Sequence, residues 1–206
     1  MFYRIAKRLL DLAVVLLASP IALPLIAFGA LASAVAHRSN PFFNQIRTGQ
    51  DGQELKIFKL KTMLDMRDGL IDDADRLTRT GQFLRKTSID ELPQLWNVLC
   101  GNMSIVGPRP QIRRYSDMMT VEEFRRHDVK PGITGWAQIN GRNAMTWAQR
   151  FHLDIWYVDN ANLWLDIKII LLTPICIFKG NGVSDGKTVT MTPLELERGP
   201  TSRDAA

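Results

Sequence analysis

The stretch LAVVLLASPIALPLIAFGALASAVA, from Leu12 to Ala36, contains no charged residue. Wound as a helix at about 1.5 Å per residue, it is long enough to cross a hydrocarbon core of ~30 Å, and a single spanning helix is the simplest reading. Three features oppose it. Ser19-Pro20 and Pro24 interrupt its middle, and proline removes a backbone donor and kinks a helix. Basic residues flank both ends, Arg4, Lys7 and Arg8 before and Arg38 and Arg47 after. The positive-inside rule then favours neither orientation, and it is met if both ends stay cytosolic. The body that follows also has a cytosolic character. A helix that enters one leaflet, bends at Ser19-Pro20 and returns satisfies all three. Carbonyls freed at the bend need partners, because lipid supplies none, and Ser19 is a candidate donor. A cleaved signal peptide fits poorly, since the run is long and no processing junction is evident.

The whole chain, with 206 residues, 46% hydrophobic content and a net charge of +5, has the composition of one compact domain plus an appendage. The positive balance favours anionic partners, phospholipid head groups or phosphorylated substrates among them. A nucleic-acid partner is disfavoured by the apolar run and by the lack of a recognised binding motif. Cys100 and Cys176 have no metal-ligand spacing and imply no disulfide framework. A second apolar stretch, Leu163 to Phe178, is interrupted by Asp166 and Lys168 and is a poor spanning segment. Trp147, Trp156, Tyr157 and Trp164 precede or enter it, and such aromatics suit either an ordinary core helix or a membrane interface.

Phe42–Arg47 and Glu54–Met63 read as two short strands joined by a turn over Thr48–Gly52. In the second strand Leu55, Ile57 and Lys59 share one face and Phe58 and Leu60 the other. Asp65–Arg79 reads as a charged loop with a helical turn. Leu92, Leu95, Trp96 and Leu99 follow helix spacing, and Gly101 fits the position just past the end. Tyr115–His127 reads as a further helix, Pro131–Asn143 as a glycine-rich structured loop, and the chain beyond Gly180 as a polar end that frays.

At the start of the Leu92–Leu99 helix stand two adjacent acids, Asp90 and Glu91. Ser88-Ile89-Asp90-Glu91 matches a capping box, but Pro93 would then lack an N–H that the helix needs, and it fits better if the helix begins near Asp90. A helix start favours ionised carboxylates and can also receive a phosphate. Two acids facing a phosphate need counter-charge. Mg²⁺ is commonly held by one or two carboxylates plus substrate phosphates, so one acid is free to attack phosphorus while the other holds the metal. Cations are at hand in Lys59, Lys61, Arg85, Arg109 and Arg142. Arg109 lies between two prolines, and an arginine can grip a phosphate through two parallel bonds. Each of these charges alone is also compatible with a solvated surface.

The chain resembles a small monotopic phosphoglycosyl transferase of the bacterial sugar transferase family. The resemblance is carried, in order, by Lys7-Arg8 with Asp11, Ser19-Pro20, Phe58-Lys59-Leu60-Lys61-Thr62-Met63, Arg85, Ser88 to Leu95, Ser104 to Pro110, and Val129 to Arg142. It implies transfer of a phosphosugar from a UDP-sugar to polyprenyl (undecaprenyl) phosphate, with release of UMP, by a ping-pong mechanism. It makes Asp90 the nucleophile and Glu91 the Mg²⁺ ligand, with Asp90 close to the same ion. Lys59, Arg85, Arg109 and Arg142 become phosphate ligands. The fold it implies is α+β and mostly helical. A re-entrant membrane helix occupies 1–38, and a catalytic domain with a small β-hairpin and interfacial helices occupies 39–180. A polar tail, 181–206, carries no assigned role. The place of work is the bacterial inner membrane, with the site facing the cytoplasm and phospholipid around the anchor. Exposed apolar surface leaves a homodimer open. The alternative from a different class is a membrane-anchored binding or scaffold protein in which Asp90 and Glu91 are only caps.

Overall fold

The computed structural model of the protein describes residues 2–66, 73–141, 145–178 and 193–198. The apolar run is one helix, α1 (Phe2–His37), with Pro20 and Pro24 inside it. The Ser19 hydroxyl donates to the Val15 carbonyl at 2.6 Å, a back-bond to the preceding turn of the kind that bends helices. The buried positions of α1 are Asp11, Val15, Ala22, Gly29, Ser33 and His37. Their intervals of four and seven form a single stripe along the helix. Leu16, Leu17, Ile21, Phe28, Leu31 and Val35 remain exposed.

Both halves of that stripe are fastened to the body. In the first half Lys7 pairs with buried Asp166 at 2.9 Å. Arg8 donates to the carbonyls of Val98 and Leu99 at 2.6 and 2.8 Å, and Asp11 accepts from the Ser104 hydroxyl and the Ile105 amide, each at 2.9 Å. In the second half Ser33 donates to the Lys61 carbonyl at 2.7 Å, and His37 Nε2 lies 3.3 Å from the Thr78 hydroxyl. Gly29 comes so close that a β-carbon there would sit 2.7 Å from Leu60 and 2.9 Å from Ile89.

The expected hairpin forms from β1 (Phe42–Thr48) and β2 (Glu54–Leu60), with Phe43 opposite Lys59 and Arg47 opposite Leu55. The period of two holds. Leu55 and Ile57 enter the main core, while Leu60 enters a smaller one with Leu84 and Ile89. The other edge of β2 is closed by a side chain: Asn97 donates to the Lys56 carbonyl at 2.7 Å and accepts the Phe58 amide at 3.3 Å. A one-turn helix α2 (Asp73–Arg76) and α3 (Arg79–Lys86) follow. A 3-10 helix over Ile89–Gln94 then runs into α4 (Leu95–Leu99), beyond which Gly101 takes φ 79°.

Two expectations need correction. The glycine-rich segment after Pro131 is not a loop throughout. It contains β4 (Gly132–Thr134), parallel to β3 (Ser104–Val106), and α7 (Trp136–Asn140). Its glycines serve close approach. A β-carbon on Gly132 would lie 2.1 Å from the Gly107 nitrogen, and one on Gly107 would lie 2.3 Å from the Lys130 carbonyl oxygen. The expected helix over Tyr115–His127 is in pieces: α5 (Arg113–Ser116), α6 (Val121–Phe124) and a 3-10 turn over Arg125–His127. The break comes from Thr120, which starts a new helix by exchanging cap bonds with Glu123.

α8 (Trp147–Asn160) and α9 (Leu163–Phe178) complete the main core through Tyr157, Leu165 and Ile169. Trp164, Leu171 and Ile175 of α9 are exposed, and Trp136 stacks on Trp156 at 4.8 Å. The second apolar stretch is therefore core on one side and bare on the other. Within the polar tail, α10 (Leu194–Arg198) seats fully buried Leu194 beside Tyr115, Trp147 and Phe151.

Because Gly29 meets Leu60 and Ile89 without room for a side chain, Gly29→Leu is expected to lower the melting temperature in detergent, at a cost of about 1–3 kcal/mol. Ala27→Leu, on the exposed face, is expected to leave it unchanged.

Candidate active site

Two adjacent carboxylates of the 3-10 helix have opposite surroundings. Glu91 is gripped from two sides. Lys59, from β2, reaches its Oε1 at 2.7 Å, and Arg109 makes a forked contact, Nη1 to Oε2 at 3.0 Å and Nη2 to Oε1. Burial pushes the Glu91 carboxyl up, but the Arg109 and Lys59 charges and their hydrogen bonds override it and hold it well below the usual range. Asp90 is only 7% exposed, and among the described residues no hydrogen bond reaches its carboxylate. Burial, and then the charge of Glu91, push it up to about 6, against the opposing pull of Lys59, Arg85 and Arg109. The sequence-based expectation that the helix start favours an ionised Asp90 meets an opposing effect, since loss of water raises its pKa. Asp90 is nonetheless mostly an anion at pH 7.

The capping explanation also falls. Ser88 sits at the N-cap position in the left-handed region, φ 58°, with no side-chain cap bond, and the Glu91 carboxylate faces the cations instead. Lys59 projects to the site because it shares the face of Leu55 and Ile57, one residue pair beyond the core. Arg85, from α3, is oriented by its Nε donating to the Thr62 hydroxyl at 3.0 Å, and Asp90 is the acid whose charge acts on it most strongly. Lys61 is turned away, paired with Asp65 at 2.7 Å. Arg142 lies outside the described residues. Sequence reasoning missed Arg47, which it counted only as a flanking charge. Arg47 shares the hairpin face of Lys59. Burial pulls its guanidinium down to about 10, with Arg109 adding to that and Glu91 opposing it. The signal lay in the hairpin register, which a turn of known length sets.

Beside the acids, an apolar cavity of 290 Å³ runs between α1 and the 3-10 helix. Its walls include Val15, Ser19, Ala22, Phe42, Phe58, Pro93 and Trp96. Among the described residues no group of three or more His, Cys, Asp or Glu could hold a metal. An ion here would rest on Asp90, Glu91 and oxygens of a bound phosphate, a donor set that suits Mg²⁺.

The fold and site thus set a cluster of cations, one acid that they hold and one that they do not, beside a long apolar helix. The chain belongs to the bacterial sugar transferase family, whose model matches residues 2–180. It is 46% identical over 189 residues to an uncharacterized sugar transferase, EpsL, of Bacillus subtilis, covering 90% of this chain and 94% of that one. It is 40% identical over 190 residues to the UDP-glucose:undecaprenyl-phosphate glucose-1-phosphate transferase of Escherichia coli, covering 86% of this chain but 40% of the relative. It is 36% identical over 162 residues to a UDP-galactose-lipid carrier transferase of Erwinia amylovora, covering 69% of this chain and 34% of the relative. The chain therefore spans nearly all of the Bacillus protein and well under half of the other two.

The unequal acids have opposite effects on stability. The raised pKa of Asp90 means that folding favours its protonated form, so ionisation costs stability above about pH 6. In EDTA at pH 7.5, Asp90→Asn is expected to stabilise the fold by on the order of 1–3 kcal/mol, and the gain should vanish near pH 4. The lowered pKa of Glu91 supplies stability that is present above the ordinary carboxylate range and lost as pH falls. Glu91→Gln is expected to destabilise by about 3–5 kcal/mol, because two cations lose their partner. Thermal unfolding across pH reads both.

Proposed function

We propose that the protein transfers a phosphosugar from a UDP-sugar to polyprenyl phosphate, giving a polyprenyl-diphosphate-linked sugar that begins glycan assembly. The observation that carries this is the inequality of the two acids: a free buried carboxylate beside one already neutralised by Lys59 and Arg109. A carboxylate oxygen of Asp90 attacks the sugar-bearing phosphorus. The bond from that phosphorus to the bridging oxygen breaks, and UMP leaves with the electron pair. An oxygen of polyprenyl phosphate then attacks the same phosphorus, and the Asp90 carboxylate departs. Lys59, Arg85, Arg109 and Arg142 hold the phosphates. A diphosphate competes with Glu91 for Lys59 and Arg109, and Glu91, with Asp90, would be the residue to hold Mg²⁺. When bound, Mg²⁺ supplies counter-charge to the diphosphate. The apolar cavity of 290 Å³ beside Pro93, walled by Val15, Ala22, Phe42, Phe58 and Trp96, suits the hydrocarbon end of the acceptor.

The same reading gives α1 a re-entrant course in the bacterial inner membrane, with the site at its cytoplasmic face. What supports it is that both halves of the helix bind one body. Lys7, Arg8 and Asp11 join Asp166, α4 and β3, while Ser33 and His37 join Lys61 and Thr78. A straight crossing would separate those ends by a hydrocarbon core of ~30 Å. In a Cys100→Ser, Cys176→Ser background, cysteines at Arg4 and Arg38 are expected to be labelled from the same side in sealed vesicles. Labelling from opposite sides rejects re-entry.

The activity is tested by UMP release from a panel of UDP-sugars with undecaprenyl phosphate and Mg²⁺. UDP-glucose and UDP-galactose head that panel, because the relatives' names contain both sugars. Asp90→Asn is expected to fall below about a thousandth of the parent rate while remaining folded and membrane-bound. Full turnover in that variant would reject Asp90 as the nucleophile, whereas a parent protein that releases no UMP from any donor would favour a scaffold.

A further inference from the structure

Arg126 is a charge that the reaction does not call for. Its side chain is 1% exposed. Nε and Nη2 donate to Asp154 Oδ2 at 3.0 and 2.6 Å, and Nη2 also donates to the main-chain carbonyl of Arg109 at 2.8 Å. A buried ion pair is weak evidence of stability, because desolvation offsets most of the attraction. The third contact gives the pair a use. We propose that Arg126, held by Asp154, is a positioning residue that sets the backbone from which Arg109 reaches the phosphate site.

The surrounding segment is tied at nearly every residue. Gly107 donates to the Thr134 carbonyl at 2.9 Å, Pro108 accepts from the Gly132 amide at 3.0 Å, and Gln111 accepts from the Thr48 amide at 2.9 Å. All of those ties are between main-chain groups. The tie at Arg109 is made by a side chain, so it is the one that substitution can release. Proline on both sides limits how the Arg109 backbone can turn, and the carbonyl bond selects among the conformations left. The Arg109 side chain itself is 35% exposed and free of that packing. Its aim depends on the Glu91 carboxylate that it grips and on the backbone beneath it. Arg126 reaches from the 3-10 turn over Arg125–His127, and Asp154 from α8. The clamp thus joins α8 to a loop that neither element adjoins in sequence.

The inference rests on the reading of Arg109 as a phosphate ligand, and a double-mutant cycle separates the two. The variants are Arg126→Lys, which keeps the charge opposite Asp154 but gives up the fork, and Arg126→Met with Asp154→Asn, which leaves a neutral pair if the first misfolds. Each is combined with Arg109→Ala. The clamp variants are expected to keep their melting transition, to lose roughly 10- to 100-fold in kcat/KM, and to divide that loss between kcat and KM as Arg109→Ala does. In the Arg109→Ala background they are expected to cost little more, because the group they position is gone. Losses that multiply independently of Arg109, or clamp variants with unchanged kcat/KM beside an impaired Arg109→Ala, overturn the clamp. An Arg109→Ala variant with full activity overturns instead the reading on which it rests.

Discussion

The grip of Lys59 and Arg109 on Glu91 joins three parts of the chain that are far apart in sequence: β2, the 3-10 helix over Ile89–Gln94, and the proline-framed segment around Arg109. Its first consequence is electrostatic. One of two neighbouring acids is held ionised, while burial, and then the charge of that held acid, raises the other. Two carboxylates of nearly the same chemistry thereby become a held anion and a free one. Its second consequence is mechanical, since each partner is itself braced. Lys59 is fixed by the hairpin face that packs into the core, and Arg109 by a backbone tied at several points.

The apolar helix α1 is bound to the body along one side. Its buried stripe touches the two cores that flank the 3-10 helix, through Val15 on one side and Gly29 on the other. The close contacts are made by small or polar residues, while the large apolar side chains remain on the bare face. This is the pattern of a helix with a specific side packed on the body and a bare apolar one. The cavity between α1 and Pro93 places apolar volume against Leu92 and Pro93, the residues that follow the acids in the chain.

Much of this was legible in the sequence where local rules act. The hairpin, its alternation from Leu55 to Leu60 and the α4 stop at Gly101 follow from spacing and turn chemistry, and motif resemblance singles out Asp90, Glu91, Lys59, Arg85 and Arg109, whose charges the fold gathers in one place. Less visible were features set by distant contacts. Gly107 and Gly132 look like loop glycines until the two backbones are seen to touch. Thr120 looks like an ordinary helix interior until its exchange with Glu123 divides the helix. The unequal protonation of Asp90 and Glu91 depends on Arg109, eighteen positions on from Glu91. Arg47 enters the field of the site only through hairpin register, and Arg126 matters through a carbonyl that no sequence pattern marks.

The central claim is that the free acid, Asp90, carries the phosphosugar between donor and acceptor. Its most direct test is the mass of the intact protein after incubation with a UDP-sugar and Mg²⁺ but no polyprenyl phosphate. The account predicts an added mass of one phosphosugar, mapped to Asp90, absent in Asp90→Asn and discharged when polyprenyl phosphate is supplied. An adduct on another residue, or turnover that proceeds with both substrates present and never yields an adduct, would contradict it.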